Sequence, residues 1–123
     1  MRVRDIIGKY KNSVYMKKNI ANIVKHADVS EKMIERYLCD SVKQMGGVCL
    51  KYSNAGMVGY PDRICLLSGG VVFWVELKSK DGRLNEVQKI RIRQLRSMGH
   101  TVNVCRSKED VDKVLEPYKC RDL

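Results

Sequence analysis

The segment Val71–Lys78, VVFWVELK, most constrains what this chain can fold into. It is rich in β-branched and aromatic residues, the composition of a strand. Side chains alternate along a strand, so Val71, Phe73, Val75 and Leu77 share one face. Val72, Trp74, Glu76 and Lys78 share the other. Ser68-Gly69-Gly70 precedes the segment as a turn, and Arg63–Leu67 reads as its hairpin partner. A two-stranded hairpin is marginal on its own in water, so the rest of the chain must pack against it.

The flanking sequence supplies that packing. Ser30 is a good N-cap, Glu31 lies in the first turn where the helix dipole favours an anion, and Ile34, Leu38, Val42 and Met45 follow at helical spacing. Gly46-Gly47 stops this helix. Val48–Tyr52 is a short alternating strand, followed by a glycine-bearing loop, 53–59. Asp81-Gly82 ends the hairpin. Asn85 with Gln88 three residues on is a capping-box pattern for a second helix, whose stripe is Gln88, Ile92 and Leu95 and which ends at Gly99. Thr101–Cys105 is another strand, and Ser107 with Asp110 caps a last helix through Val111, Val114 and Leu115. The order αβββαβα predicts an α/β domain with a central sheet flanked by helices.

Length and charge narrow the function. At 123 residues the chain holds one domain, burying about two-thirds of its unfolded surface. Lys and Arg number 24 against 14 Asp and Glu, a net charge of +10. So large an excess favours a polyanion, nucleic acid first and an anionic membrane second. Residues 1–29 carry seven basic residues against Asp5 and Asp28, which is half the net charge. They read as a basic, partly helical extension, and residues 30–123 as the domain. No run of about 18 apolar residues suggests a membrane span, and the start lacks the apolar stretch of a signal peptide, so the chain is expected to stay inside the cell. Cys39, Cys49, Cys65, Cys105 and Cys120 form no CxxC and no zinc-knuckle spacing, and read as reduced, mostly core thiols.

The chemistry sits at one end of the hairpin. Glu76 and Lys78 lie two residues apart on one face of an otherwise apolar strand. A buried charged pair costs several kcal/mol to desolvate unless it is paired or holds a metal. Asp62, entering the preceding strand after Pro61, lies at the same end, opposite the Ser68–Gly70 turn. Two hard carboxylates suit Mg²⁺ or Mn²⁺, which take phosphate oxygens as further ligands. Lys78 adds a point charge for a scissile phosphate. The alternative is a salt bridge at a strand end.

These residues also resemble a known family. Gly46-Gly47-Val48-Cys49-Leu50-Lys51, Gly59-Tyr60-Pro61-Asp62-Arg63, Phe73-Trp74-Val75-Glu76-Leu77-Lys78, Leu84-Asn85-Glu86-Val87-Gln88 and Leu95-Arg96-Ser97-Met98-Gly99 are similar to the virus-type replication-repair nuclease domain, VRR-NUC. This is a branch of the PD-(D/E)xK superfamily, and the similarity runs from about Ser30 to Leu115. It implies a restriction-endonuclease-like core with a mixed sheet. It implies that Asp62, Glu76 and the Leu77 carbonyl bind the metal, that Lys78 is catalytic, and that Gln88 lies near the active site. It also places a glutamate on the first helix, where Glu31 and Glu35 both qualify and Glu35 is preferred for its distance to Gly46. Small stand-alone members resemble Holliday-junction resolvases that act as homodimers, mostly in viruses and bacteria. The implied activity is therefore Mg²⁺- or Mn²⁺-dependent endonucleolysis of branched DNA, four-way junction or flap, by a phage-encoded homodimer in a bacterial cytoplasm. A monomeric flap- or nick-directed nuclease, an RNA-directed nuclease and a non-catalytic DNA-binding module are the rivals.

The DNA-contact candidates are Lys51, Ser53, Asn54 and Arg63 near the site, and Lys89, Arg93 and Arg96 on the face of the second helix away from its apolar stripe. His26 and His100 read as surface or turn residues, and Trp74 as core.

Overall fold

The computed structural model describes residues 30–119. The extension 1–29, with His26, and Cys120 lie outside the described residues. The observed order is α1 Glu31–Gln44, β1 Val48–Lys51, β2 Arg63–Leu67, β3 Val71–Leu77, α2 Glu86–Ser97, β4 Val102–Cys105 and α3 Lys108–Leu115, then a 3₁₀ turn Glu116–Tyr118. This is the αβββαβα order expected from the sequence. The four strands form one mixed sheet, β1-β2-β3-β4. β1–β2 and β2–β3 are antiparallel; β3–β4 is parallel, with α2 as the crossover.

The core follows from strand alternation. Phe73, Val75 and Leu77 are buried on one face of β3, the side of α1 and α3. Those helices contribute Ile34, Leu38, Val42, Val111 and Leu115, all at most 1% exposed. Burying each such side chain contributes about 1.5–3 kcal/mol. Phe73 also stacks on Tyr118, ring centroids 5.5 Å apart. On the other face Ile92 and Leu95 of α2 pack with Val102, and Trp74, Tyr60, Leu84 and Val104 surround them. Trp74, expected in the core, is half-buried there.

Gly47 shows why α1 must stop where it does. A Cβ on Gly47 would sit 2.5 Å from the Leu66 carbonyl oxygen, so only glycine lets the chain pass this close to β2. The Gly47 N–H also closes α1 by donating to the Val42 carbonyl at 2.9 Å.

Opposite α1 and α3, the β1 end of the sheet is less covered. Val48 and Val72 flank Leu66 in one cross-strand row and Leu50 lies in the next. Val48, Leu50 and Val72 are all exposed. Among the described residues no helix is long and apolar enough to cross a membrane.

Candidate active site

Glu76 sits at the penultimate position of β3, on the face that α2 covers, and is 1% exposed. Its Oε2 is buried with no hydrogen-bond partner. Burial pushes its carboxyl pKa up, to about 8, and the negative charge of Asp62 pushes the same way. Lys78 opposes this: its Nζ lies 4.0 Å from Glu76 Oε1. Asp62 is placed by the ladder that extends β1–β2, where the Tyr52 N–H donates to the Asp62 carbonyl at 2.8 Å. Lys78 is placed by the parallel ladder, its N–H donating to the Cys105 carbonyl at 3.0 Å. Asp62, Glu76 and Lys78 thus converge at one end of the sheet.

Gln88 joins them from α2. Its side-chain amide donates to Glu76 Oε1 at 3.4 Å. The same side chain closes the capping box: Gln88 Oε1 accepts from the Asn85 N–H, and Asn85 Oδ1 accepts from the Gln88 N–H. Both sequence readings of Gln88 are therefore compatible in one conformation.

The first helix brings two glutamates to different places. Glu31, in the first turn of α1, is among the charges that raise the Glu76 pKa. Glu35, one turn on, pairs instead with Arg63, Oε2 to Nε 3.0 Å. That pair also occupies Arg63, which further donates to the Cys49 carbonyl at 3.4 Å. The preference for Glu35 rested on chain distance to Gly46. Glu31 thus acts on Glu76 through charge, while Glu35, the preferred glutamate of the first helix, is engaged with Arg63.

The other DNA-contact candidates divide. Lys51, Ser53 and Asn54 are exposed beside the site. Arg93 is exposed, Lys89 pairs with Glu86 at 3.1 Å, and Arg96 donates to the Val102 carbonyl at 2.8 Å. His100 is exposed in the turn after α2.

Two side chains that the sequence reading passed over brace the site. Arg91 donates from Nε to the Val58 carbonyl at 2.9 Å and lies 4.6 Å over the Tyr60 ring. Arg106 donates to the Ser79 carbonyl at 3.2 Å and to the Gly82 carbonyl, fixing the turn after Lys78. Lone arginines carry no local pattern in a basic chain, so neither stood out. The four described cysteines, Cys39, Cys49, Cys65 and Cys105, are free thiols, and three of them cluster. Cys49 Sγ lies 3.3 Å from Cys39 Sγ and 3.9 Å from Cys65 Sγ. Burial and the neighbouring thiol push Cys39 up to about 12.

The donor set fits a hard divalent cation. Two carboxylates press together, and one buried oxygen lacks a partner, so a cation would relieve both costs. Among the described residues no group of three or more His, Cys, Asp or Glu side chains is placed to hold a metal ion by itself. Mg²⁺ is a cation that takes one or two carboxylates, with waters and phosphate oxygens as its other ligands.

Known proteins share this arrangement of elements. The solved structure of a VRR_NUC domain superposes with a TM-score of 0.67 at 30% identity, covering 72% of this chain and 96% of that one. A curated protein of Acyrthosiphon pisum secondary endosymbiont phage 1, "Putative nuclease p44", is 31% identical over 87 residues, 71% of this chain and 92% of its own length. The chain belongs to the VRR-NUC family. No family model matches it. The VRR-NUC fold is the restriction-endonuclease-like α/β core with a mixed sheet that the sequence led us to expect.

Proposed function

We propose that this VRR-NUC protein is a Mg²⁺- or Mn²⁺-dependent endonuclease that hydrolyses phosphodiester bonds in branched DNA, working as a homodimer on four-way junctions. One observation carries the reading: Glu76, buried with an unpartnered oxygen, has Asp62, Glu31, Lys78 and Gln88 around it. A module that only binds DNA has no use for a carboxylate held at such cost, since negative charge repels phosphate. Family membership and the phage nuclease relative support the same class.

The residues divide the work. Asp62, Glu76 and the Leu77 carbonyl would hold the cation, with Glu31 adding negative charge from α1. A divalent ion held by these residues would supply Lewis acidity, offsetting charge on the phosphate and lowering the pKa of a water. Lys78, mostly buried and 4.0 Å from Glu76, opposes the rise in the Glu76 pKa and presents a positive charge to the phosphate. Gln88 fixes the Glu76 rotamer through the amide contact. Lys51, Ser53, Asn54, Lys89 and Arg93 offer backbone contacts around the site. Arg63 and Arg96, engaged inward, would support them indirectly.

The test is cleavage of a labelled four-way junction, a flap and a plain duplex, with and without Mn²⁺. Metal-dependent cutting of the junction in preference to the duplex is expected. A protein that binds all three and cuts none with any divalent ion would leave the binding-module reading in its place.

A further inference from the structure

We propose that loop 53–59 is a base-engaging wedge, in which Met57 and Val58 contact the face of a nucleobase left unstacked beside the scissile phosphate. The inference rests on the nuclease reading and adds how a discontinuity in the duplex is sensed.

Met57 is 48% exposed and Val58 59%, adjacent on the loop between β1 and β2. A single exposed apolar side chain is ordinary. Two neighbours on a loop held at Asn54, Gly56, Met57, Val58 and Gly59 are not. Asn54 Oδ1 accepts from the N–H groups of Gly56 at 3.0 Å and Met57 at 3.1 Å. Asn54 Nδ2 donates to the Tyr52 hydroxyl at 3.0 Å. Arg91 holds the Val58 carbonyl. Gly59 lies against α2 so closely that a Cβ would come within 2.4 Å of Val87 Cγ1, and its φ of +92° excludes most other residues. The loop therefore presents Met57 and Val58 without the entropy that a slack loop would lose on binding.

Its position gives that presentation a use. Tyr52 bonds to Asp62 at the root of the loop, and Asp62 adjoins Glu76. Tyr52 and Tyr60, at the two ends of the loop, form an aromatic cluster with Trp74, with ring centroids 5.3–6.1 Å apart. A cavity of about 210 Å³ lies between loop and aromatics, lined by Tyr52, Asn54, Met57, Val58 and Tyr60 among others. Phosphate contacts position a nuclease but do not distinguish a branch from a duplex. Apolar side chains do, because base faces are covered by stacking in a duplex and open at a branch, nick or flap. Small apolar wedges inserted at a base step are a general means of gripping such DNA.

The experiment places 2-aminopurine at the nucleotide next to the branch of a four-way junction and of a flap, and at the matching site of a duplex. Its fluorescence is read in EDTA, so that no strand is cut. The full chain should raise the signal several-fold on the two branched DNAs and not on the duplex. M57A/V58A should melt like the wild type and lose most of that rise. Its ratio of branched to duplex cleavage in Mn²⁺ should fall roughly ten-fold. M57L should restore both. A wild-type chain with no rise on any branch, or a double variant with an unchanged rise and ratio, overturns the wedge. A chain that unstacks the base yet cuts nothing with any divalent ion keeps the wedge and removes the nuclease reading. A chain that cuts junctions with no fluorescence change does the reverse.

Discussion

Gln88 uses the two ends of one amide for two tasks: its Nε2 reaches Glu76 Oε1 at 3.4 Å while its Oε1 accepts from the Asn85 N–H at 3.0 Å. The helix start and the buried carboxylate are therefore mechanically linked. Two substitutions separate the links. Gln88→Glu keeps the acceptor for Asn85 but sets a further negative charge against Glu76. Gln88→Ala removes both contacts. Gln88→Ala should cost about 0.5–1 kcal/mol of stability from the lost cap contact. Gln88→Glu should cost less, yet lower Mn²⁺-dependent cleavage at least as much. Thermal melts beside single-turnover rates check this; equal cleavage by Gln88→Glu and wild type would reduce Gln88 to a cap.

The raised Glu76 pKa makes stability depend on pH. The folded chain holds this proton more tightly than the unfolded chain, where the ordinary value is 4.5. Its stabilising contribution is complete below that value and is lost as pH rises towards about 8. In EDTA the melting temperature should therefore fall between about pH 5 and 8 through this group. Glu76→Gln should flatten that slope and be the more stable protein at pH 8, by an amount on the order of 1–3 kcal/mol. Adding Mn²⁺ at pH 8 should raise the wild-type melting temperature and leave that of Glu76→Gln unmoved, because a ligand of the native state stabilises it by mass action. Cleavage by Glu76→Gln should be abolished. A wild-type melt that ignores both pH and Mn²⁺ would contradict the site.

Lys78 and Asp62 give a contrast between rate and binding. Lys78→Ala removes the cation that opposes the rise in the Glu76 pKa, and with it a positive charge beside the site. It should lower the cleavage rate far more than DNA affinity, since one charge among 24 basic residues contributes little to overall attraction. Asp62→Ala should abolish cleavage and leave DNA affinity intact or slightly higher, because it removes negative charge facing the DNA. Binding measured in Ca²⁺ beside cleavage in Mn²⁺ separates the two effects. Equal losses of both in Lys78→Ala would make it an ordinary DNA contact.

Periodicity made the elements legible: Ile34, Leu38 and Val42 announced α1, and Asn85 with Gln88 announced α2 one residue before it begins. Register at the end of β3 made Glu76, Lys78 and Asp62 legible as one cluster, since alternation and a hairpin turn fix which ends meet. The division between Glu31 and Glu35 was not legible. Residues i and i+4 share a helix face, and what separates these two is the partner, Arg63, that captures Glu35. The inward use of Arg63, Arg91 and Arg106 was hidden for the same reason, because each pairs with a backbone or side-chain oxygen remote in sequence.

That division predicts opposite phenotypes. Glu31→Ala should weaken Mn²⁺ dependence of cleavage with little effect on the melt, as Glu31 is exposed and acts on Glu76 through charge. Glu35→Ala should cost about 1 kcal/mol by leaving the half-buried Arg63 without its carboxylate, with a smaller effect on the metal response. Titration of cleavage against Mn²⁺ for both variants decides it. If Glu35→Ala shifts the midpoint and Glu31→Ala does not, the site carboxylate on α1 is Glu35.

Assembly provides the last test. One site cuts one strand, so symmetric resolution of a four-way junction needs two sites related by a two-fold axis. The extension 1–29 carries the apolar residues Ile6, Ile7, Tyr10, Val14 and Tyr15, one set of contact candidates. Among the described residues the exposed row of Val48, Leu50 and Val72 is another, on the sheet face that α2 leaves open. Sedimentation at micromolar concentration is expected to give twice the 14.2 kDa chain mass, with paired incisions across the junction. Junction binding should also weaken steeply with salt, as displaced counterions require of a chain at +10. A Leu50→Lys, Val72→Lys chain that still sediments as a dimer would leave the first 29 residues as the contact. A strict monomer that cuts flaps faster than junctions would replace the resolvase by a flap nuclease and leave Asp62, Glu76 and Lys78 in their roles.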